Sequence, residues 1–168
     1  MKRDYKFRQI TVDDYPHLIK WWKKYEKFGI LVPKATLLPN KGLGGFVVEK
    51  NGVAIASCFL YFTNSAFGYV DYLIADPDYR EEDRDKIMLE FGVYVTQMAA
   101  AAGCELVKAI TSNKNLVKLL SVSAKNGHAE QLEDGSYIAN GVKLDIKPEP
   151  YYMVYTHGIA TETKIHDK

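Results

Sequence analysis

Residues 53–62 read Val-Ala-Ile-Ala-Ser-Cys-Phe-Leu-Tyr-Phe, and only Ser57 interrupts the apolar run. A short run this apolar, rich in β-branched and aromatic residues, is a strand buried on both faces rather than one alternating between core and water. It constrains the whole chain, because such a strand must lie inside a sheet covered on either side by helices. It is too short to cross a membrane as a helix, which takes about 18 apolar residues, and no other window approaches that length.

The flanking residues supply its neighbours. Lys50-Asn51-Gly52-Val53 is a hairpin signal, since Asn-Gly suits the two positive-φ positions of a type I′ turn. Residues 46–49 are then the preceding strand, and 67–75 a third that ends at Asp76-Pro77-Asp78. Residues 5–10 alternate, with Tyr5 and Phe7 on one side. Thr11-Val-Asp-Asp14 resembles a capping box with Asp in place of Glu. Leu18, Trp21, Trp22 and Tyr25 then recur at helical spacing, so residues 12–27 are expected to be a helix, with Pro16 tolerated in its first turn. Trp21 and Trp22 point about 100° apart on that helix, so one is expected in the core and the other partly exposed, as a contact for substrate or partner.

A longer helix carries Ile87, Phe91, Val95, Met98 and Ala102, with Gly103 as its stop. Residues 106–111 read as a strand and 116–125 as a shorter helix closed by Asn126-Gly127. Late strands follow, with a hairpin signal at Asn140-Gly141 and a last strand at 151–156. Three antiparallel strands followed by strand–helix–strand make a mixed sheet of the α/β class with helices on its faces.

Lys plus Arg is 22 against 21 for Asp plus Glu, a net charge of +1. That leaves no basic excess for general nucleic-acid binding. The hydrophobic fraction of 47% excludes disorder. Two cysteines, Cys58 and Cys104, are too few for a disulfide scaffold and lie in apolar stretches, as buried filler does. With no apolar segment near the N-terminus, a cytoplasmic protein is expected, without a membrane anchor. His17, His128, His157 and His166 match no metal-ligand spacing, so no metal site is expected. Residues 1–157 read as one domain and 158–168 as a flexible tail.

The element order resembles the GNAT superfamily of N-acetyltransferases, and local motifs carry the resemblance further. Residues 71–80, DYLIADPDYR, resemble the family's central strand and the Pro-x-Tyr-Arg segment that leads into its phosphate loop. Residues 111–128, TSNKNLVKLLSVSAKNGH, resemble its second motif. The TSNKN-x-x-x-K stretch, Trp21-Trp22 and residues 59–65 (FLYFTNS) are similar to small GNAT-like proteins of tailed bacteriophages and some bacteria. The resemblance spans about residues 5–128. It implies a mostly antiparallel central sheet of six to seven strands with helices on both faces. It also implies acetyl-CoA as co-substrate and transfer of an acetyl group to an amine on a small molecule or protein. A homodimer and a location in the cytoplasm, that of the host for a phage protein, are further implications.

The resemblance assigns candidate residues. The pantetheine arm would pair with backbone at Ile74 and Ala75. The pyrophosphate would meet Arg80, Asp83, Arg84, Asp85 and Lys86 at the start of the long helix. Asn115 matches an asparagine that contacts the coenzyme, though Asn there is also a good N-cap. Asp71, where family members carry a glutamate, is the candidate base, and a carboxylate on an apolar strand is suited to that role; the alternative is a strand-end carboxylate paired with a lysine or facing water. Ser123 stands where the family places a tyrosine as acid, and serine is a poor one.

The phosphate loop departs from the pattern. Where the family has Arg-x-x-Gly-x-Gly, this chain has Arg80-Glu81-Glu82-Asp83-Arg84-Asp85, with aspartates at both glycine positions. A Cβ obstructs close backbone approach, and a carboxylate near a phosphate costs about 1–3 kcal/mol net of the neighbouring cations. Acids in a first helical turn are also simply favourable to a helix dipole. Coenzyme binding is therefore expected to be weakened or lost, and the alternative function is a catalytically inactive GNAT-fold protein that binds a protein partner.

Overall fold

The expected two-faced strand, β3 (Val53–Phe62), is the middle of a five-stranded sheet and is buried from Ala54 to Leu60. The computed structural model describes residues 4–109, 118–119, 124–139 and 141–144. Asn115, Ser123, most of the helix expected over 116–125, the strand expected at 151–156 and the tail at 158–168 lie outside the described residues.

β1 (Tyr5–Gln9), β2 (Gly45–Lys50), β3 and β4 (Phe67–Ala75) run antiparallel in sequence order. β5 (Leu106–Ala109) joins β4 in parallel, after a crossover through the helix α2 (Arg84–Ala101). The β2–β3 turn is as expected: Lys50 pairs with Val53, Asn51 has φ 50° and Gly52 has φ 82°.

The helix expected over 12–27 is a 3-10 turn (Val12–Asp14), α1 (Tyr15–Tyr25) and another 3-10 turn (Glu26–Phe28) stopped by Gly29 at φ 82°. Asp14 reaches back to the Thr11 N–H, 2.8 Å, in the way the capping pattern predicts. α1 covers one face of the sheet, with Leu18, Trp21 and Trp22 packed on Val47, Phe59 and Ile74. Here one expectation fails. Trp21 is 2% exposed and Trp22 is 1% exposed, so neither is a surface contact. The segment after α1 folds back, adding Val32, Leu38 and Leu43 to the same cluster. Trp22 stacks on Phe59, with 6.4 Å between ring centres.

α2 covers the other face through Ile87, Phe91 and Val95, which pack on Val48, Ile55, Ala56 and Cys58. Its opposite side is apolar too: Leu89 and Val93 pack on Tyr137 and Ala139. Those belong to a second sheet of β6 (Glu130–Gln131), β7 (Tyr137–Ala139) and β8 (Val142–Leu144). The β7–β8 register, Ala139 to Val142 with Gly141 at φ 78°, matches the expected hairpin. The α/β class, the mostly antiparallel mixed sheet and the helices on both faces agree with the sequence. Among the described residues the central sheet has five strands, and the late strands form their own sheet on the back of α2.

Candidate active site

The site begins with an irregularity in β4. Ser57 pairs with Ile74, but the next register pair is Phe59 with Asp71, so Cys58 faces two residues of β4. This is a β-bulge, and it places Tyr72 at φ 50°, a conformation a non-glycine residue adopts at a cost of about 1 kcal/mol or more. Two contacts hold it. Asp71 Oδ1 accepts the Tyr72 N–H at 2.6 Å, and the Tyr72 ring meets Phe59 edge-on at 6.4 Å.

The bulge has two consequences. Asp71, opposite Phe59, shares the α1 face of the sheet, and Tyr72 packs into the cluster on that same face. β5 pairs only with Phe67–Val70 of β4. Residues 73–75 therefore have β3 on one side and no described strand on the other. Ile74 and Ala75, the backbone that the family resemblance assigns to the pantetheine arm, lie in that stretch and pair with Ser57 and Ala56 of β3.

Asp71 is half-buried and lies among phenols. Tyr61 and Tyr69 face each other across β3 and β4, ring centres 6.2 Å apart. The Tyr61 hydroxyl donates to the Leu37 carbonyl at 3.0 Å. Burial pushes the Tyr61 phenol well above its ordinary range, and negative charge on Tyr72, Asp71, Tyr69 or Tyr15 pushes it further the same way. Tyr15 closes the group: its hydroxyl donates to the Gly42 carbonyl at 2.7 Å. A Cβ on Gly42 would stand 2.0 Å from that hydroxyl, and Gly42 has φ 94°. No one of the chain's 12 tyrosines is distinguished in the sequence, whereas the fold gathers Tyr15, Tyr69, Tyr72 and Asp71 around Tyr61.

The second half of the site is the loop from Arg80 into α2. Asp83 occupies the N-cap position yet makes no side-chain capping bond. Both of its oxygens are taken elsewhere. Oδ2 accepts from Lys50 Nζ at 2.6 Å and Oδ1 from the Tyr79 hydroxyl at 2.6 Å. Lys50 Nζ also meets Glu81 at 2.5 Å and Tyr79 at 3.2 Å, with Asp4 at 3.6 Å. Lys50 is 7% exposed, which is rare for lysine unless paired. Burial opposes ionisation of Asp83, but Lys50 and Tyr79 outweigh it and hold its carboxyl below the usual carboxylate range. Burial, then Asp83, push the Tyr79 phenol up to about 12.

The amide of Arg84 is bound by the Glu81 carbonyl, 3.1 Å, and the first helical bond runs from the Ile87 N–H to the Asp83 carbonyl, 2.9 Å. The amides of Asp85 and Lys86 lie between and meet no acceptor among the described residues. Arg80 and Lys86 are exposed, and Arg84 is half-buried with its Nε unpartnered among the described residues. The loop's own three cations and four acids are brought to balance by Lys50. The expected repulsion by Asp83 is thus met by a cation from a strand remote in sequence.

No family model matches the chain. An amino-acid acetyltransferase of Azotobacter vinelandii is 33% identical over 87 residues, which are 51% of this chain and 20% of that protein. N-acetylglutamate synthase from Neisseria gonorrhoeae, solved with coenzyme A and N-acetyl-glutamate, superposes with a TM-score of 0.58 at 18% identity, over 70% of this chain and 27% of that one. A GNAT-family acetyltransferase from Staphylococcus aureus Mu50 superposes with a TM-score of 0.52 at 12% identity, over 78% and 87%. The chain has the GNAT acetyltransferase fold. It spans only a minor part of the Azotobacter and Neisseria proteins, and among the described residues no helix is long and apolar enough to cross a membrane.

Proposed function

We propose that this chain is an N-acetyltransferase that moves an acetyl group from acetyl-CoA to an amine. The observation that carries the reading is the β-bulge in β4, which sets Asp71 and Tyr72 on one face of the sheet beside the Tyr61 phenol. Amino acids are the first acceptors to try, since the sequence relative is an amino-acid acetyltransferase and the first structural neighbour holds N-acetyl-glutamate.

The residues divide the work. Backbone at Ile74 and Ala75 holds the pantetheine amides. Arg80, Arg84, Lys86 and the first-turn amides of α2 hold the pyrophosphate. Acetyl-CoA, when bound, supplies the thioester carbonyl that the amine attacks. Asp71 accepts a proton from the incoming ammonium, through a water because the aspartate side chain is short. A phenol of the cluster, Tyr61 or Tyr69, donates a proton to the departing sulfur. Asn115 keeps its assignment from the family resemblance as a coenzyme contact, and the phenol takes the acid role for which Ser123, at the family's acid position, is too weak.

A non-catalytic binding protein is the second reading. It loses the exposed tryptophan that supported it and keeps the acidic loop. Calorimetry with acetyl-CoA separates the two, run beside an Asp83→Gly/Asp85→Gly variant. Binding at about micromolar Kd by the natural chain, with coenzyme A release in the presence of an amine, supports the enzyme. Binding only by the glycine variant supports a retired site, and no binding by either overturns the coenzyme reading.

A further inference from the structure

Resting on the coenzyme reading above, we propose that Lys50 is a positioning residue for the pyrophosphate: it draws the Asp83 and Glu81 carboxylates toward β2, so that an aspartate can stand in the phosphate loop without capping or repelling at the start of α2. Three observations converge on it. Lys50 is buried at the end of β2 and bonds Asp83, Glu81 and Tyr79 at once. Asp83 is at the N-cap position, where aspartate ordinarily accepts a first-turn N–H; here its backbone is helical, φ −83° and ψ 0°, and its two oxygens are turned to Lys50 and Tyr79 instead. The amides of Asp85 and Lys86, which a capping aspartate would compete for, meet no acceptor among the described residues.

A purely structural ion pair and a positioning residue differ in what rescues their loss. Without Lys50, the Asp83 carboxylate stands uncompensated beside the helix start, where it repels an anion. Lys50→Met is therefore expected to weaken coenzyme A binding by about tenfold or more, while binding of pantetheine, which lacks the pyrophosphate, stays unchanged. Removing the charge as well, in Lys50→Met/Asp83→Asn, is expected to restore most of the coenzyme A affinity, although the ion pair is still absent. Lys50→Arg keeps the charge and is expected to bind nearly as the natural chain does.

Calorimetry with both ligands on the four proteins, with a melting curve for each, makes the test. Asp83→Asn alone is the safeguard should Lys50→Met fail to fold; it leaves Lys50 on Glu81 and is expected to bind coenzyme A at least as tightly as the natural chain. Equal affinity in natural and Lys50→Met proteins overturns the proposal, as does a loss that the second substitution does not relieve, or weaker binding by Asp83→Asn. Failure of the natural chain to bind coenzyme A removes the coenzyme reading itself, and the role of Lys50 with it.

Discussion

Arg8 grips both carboxylate oxygens of Asp14, Nη1 on Oδ2 and Nη2 on Oδ1, each at 2.7 Å. Asp14 is 4% exposed and also accepts the Thr11 N–H, so one carboxylate joins β1 to the start of α1. Arg8 then turns its Nε to Glu49 at 2.8 Å, tying in β2. Breaking a buried pair leaves a charge without its partner. Asp14→Ala is expected to destabilise the fold by about 2–4 kcal/mol. Asp14→Asn is expected to cost less, since its amide oxygen still accepts from Thr11. Urea unfolding followed by circular dichroism measures both, and a loss below about 0.5 kcal/mol would contradict the pairing.

Acid is expected to unfold the protein through the same groups. Burial works against an ionised Asp14, but Arg8 and Thr11 outweigh it and hold the carboxyl below its ordinary 3.8. Arg8, then Lys6, hold Glu49 below its ordinary 4.5. Asp83 lies below 3.8 through Lys50 and Tyr79. A carboxyl depressed in the folded state binds fewer protons there than in the unfolded chain. Its stabilisation is full above about pH 4–5 and is lost as the pH falls through and below that range. Melting temperature should be flat from neutral pH down to about 5 and then fall, and Asp14→Asn should make the fall shallower. A melting temperature that rises on acidification refutes the assignment.

Both tryptophans report on the core. With Trp21 and Trp22 buried, native emission should be blue-shifted and poorly quenched by acrylamide, moving red on unfolding. Trp22→Ala removes the ring stacked on Phe59 and is expected to cost about 3–5 kcal/mol. Strong native quenching would return one indole to the surface.

Asp71 is open to a clean substitution. In Asp71→Asn the side-chain oxygen can still accept the Tyr72 N–H that steadies the bulge, so the fold and acetyl-CoA binding should persist. The acetylation rate should fall by about 10²–10⁴-fold. An unchanged kcat, once an acceptor is found, ends the role of Asp71 as base.

The two cysteines should behave differently. Cys58 is buried, and burial pushes its thiol up to about 12, whereas Cys104 is partly exposed. The native chain should react with a thiol reagent at Cys104 first, and Cys58 should react only on unfolding. Fast modification of Cys58 in the native chain would show that β3 opens readily.

Much of the scaffold was legible in the chain itself. The Asn51-Gly52 turn, the two-faced strand at 53–62, the Thr11–Asp14 capping pattern and the stop at Gly103 all formed as read. Each is encoded within a few residues, by backbone preference, side-chain reach or periodicity.

The rest depended on long-range packing. Leu89 and Val93 form a second apolar stripe on α2 whose purpose shows only when β7 covers it. Trp21 and Trp22 are both buried in a cluster that also takes in Phe59 of β3 and, from the segment after α1, Val32, Leu38 and Leu43, a meeting the helix spacing does not encode. The meeting of Tyr61 and Tyr69 depends on the β3–β4 register, and the shared face of Asp71 and Tyr72 on a one-residue bulge in it. Lys50 looks like an ordinary turn lysine, yet it neutralises Asp83 from 33 residues away. The sequence alone determined the strands, turns and helix starts, because those are settled by neighbouring residues. Tertiary structure alone decided which charges cancel and which groups gather around Tyr61, because both depend on strands and a loop brought together by burying the apolar faces of one sheet.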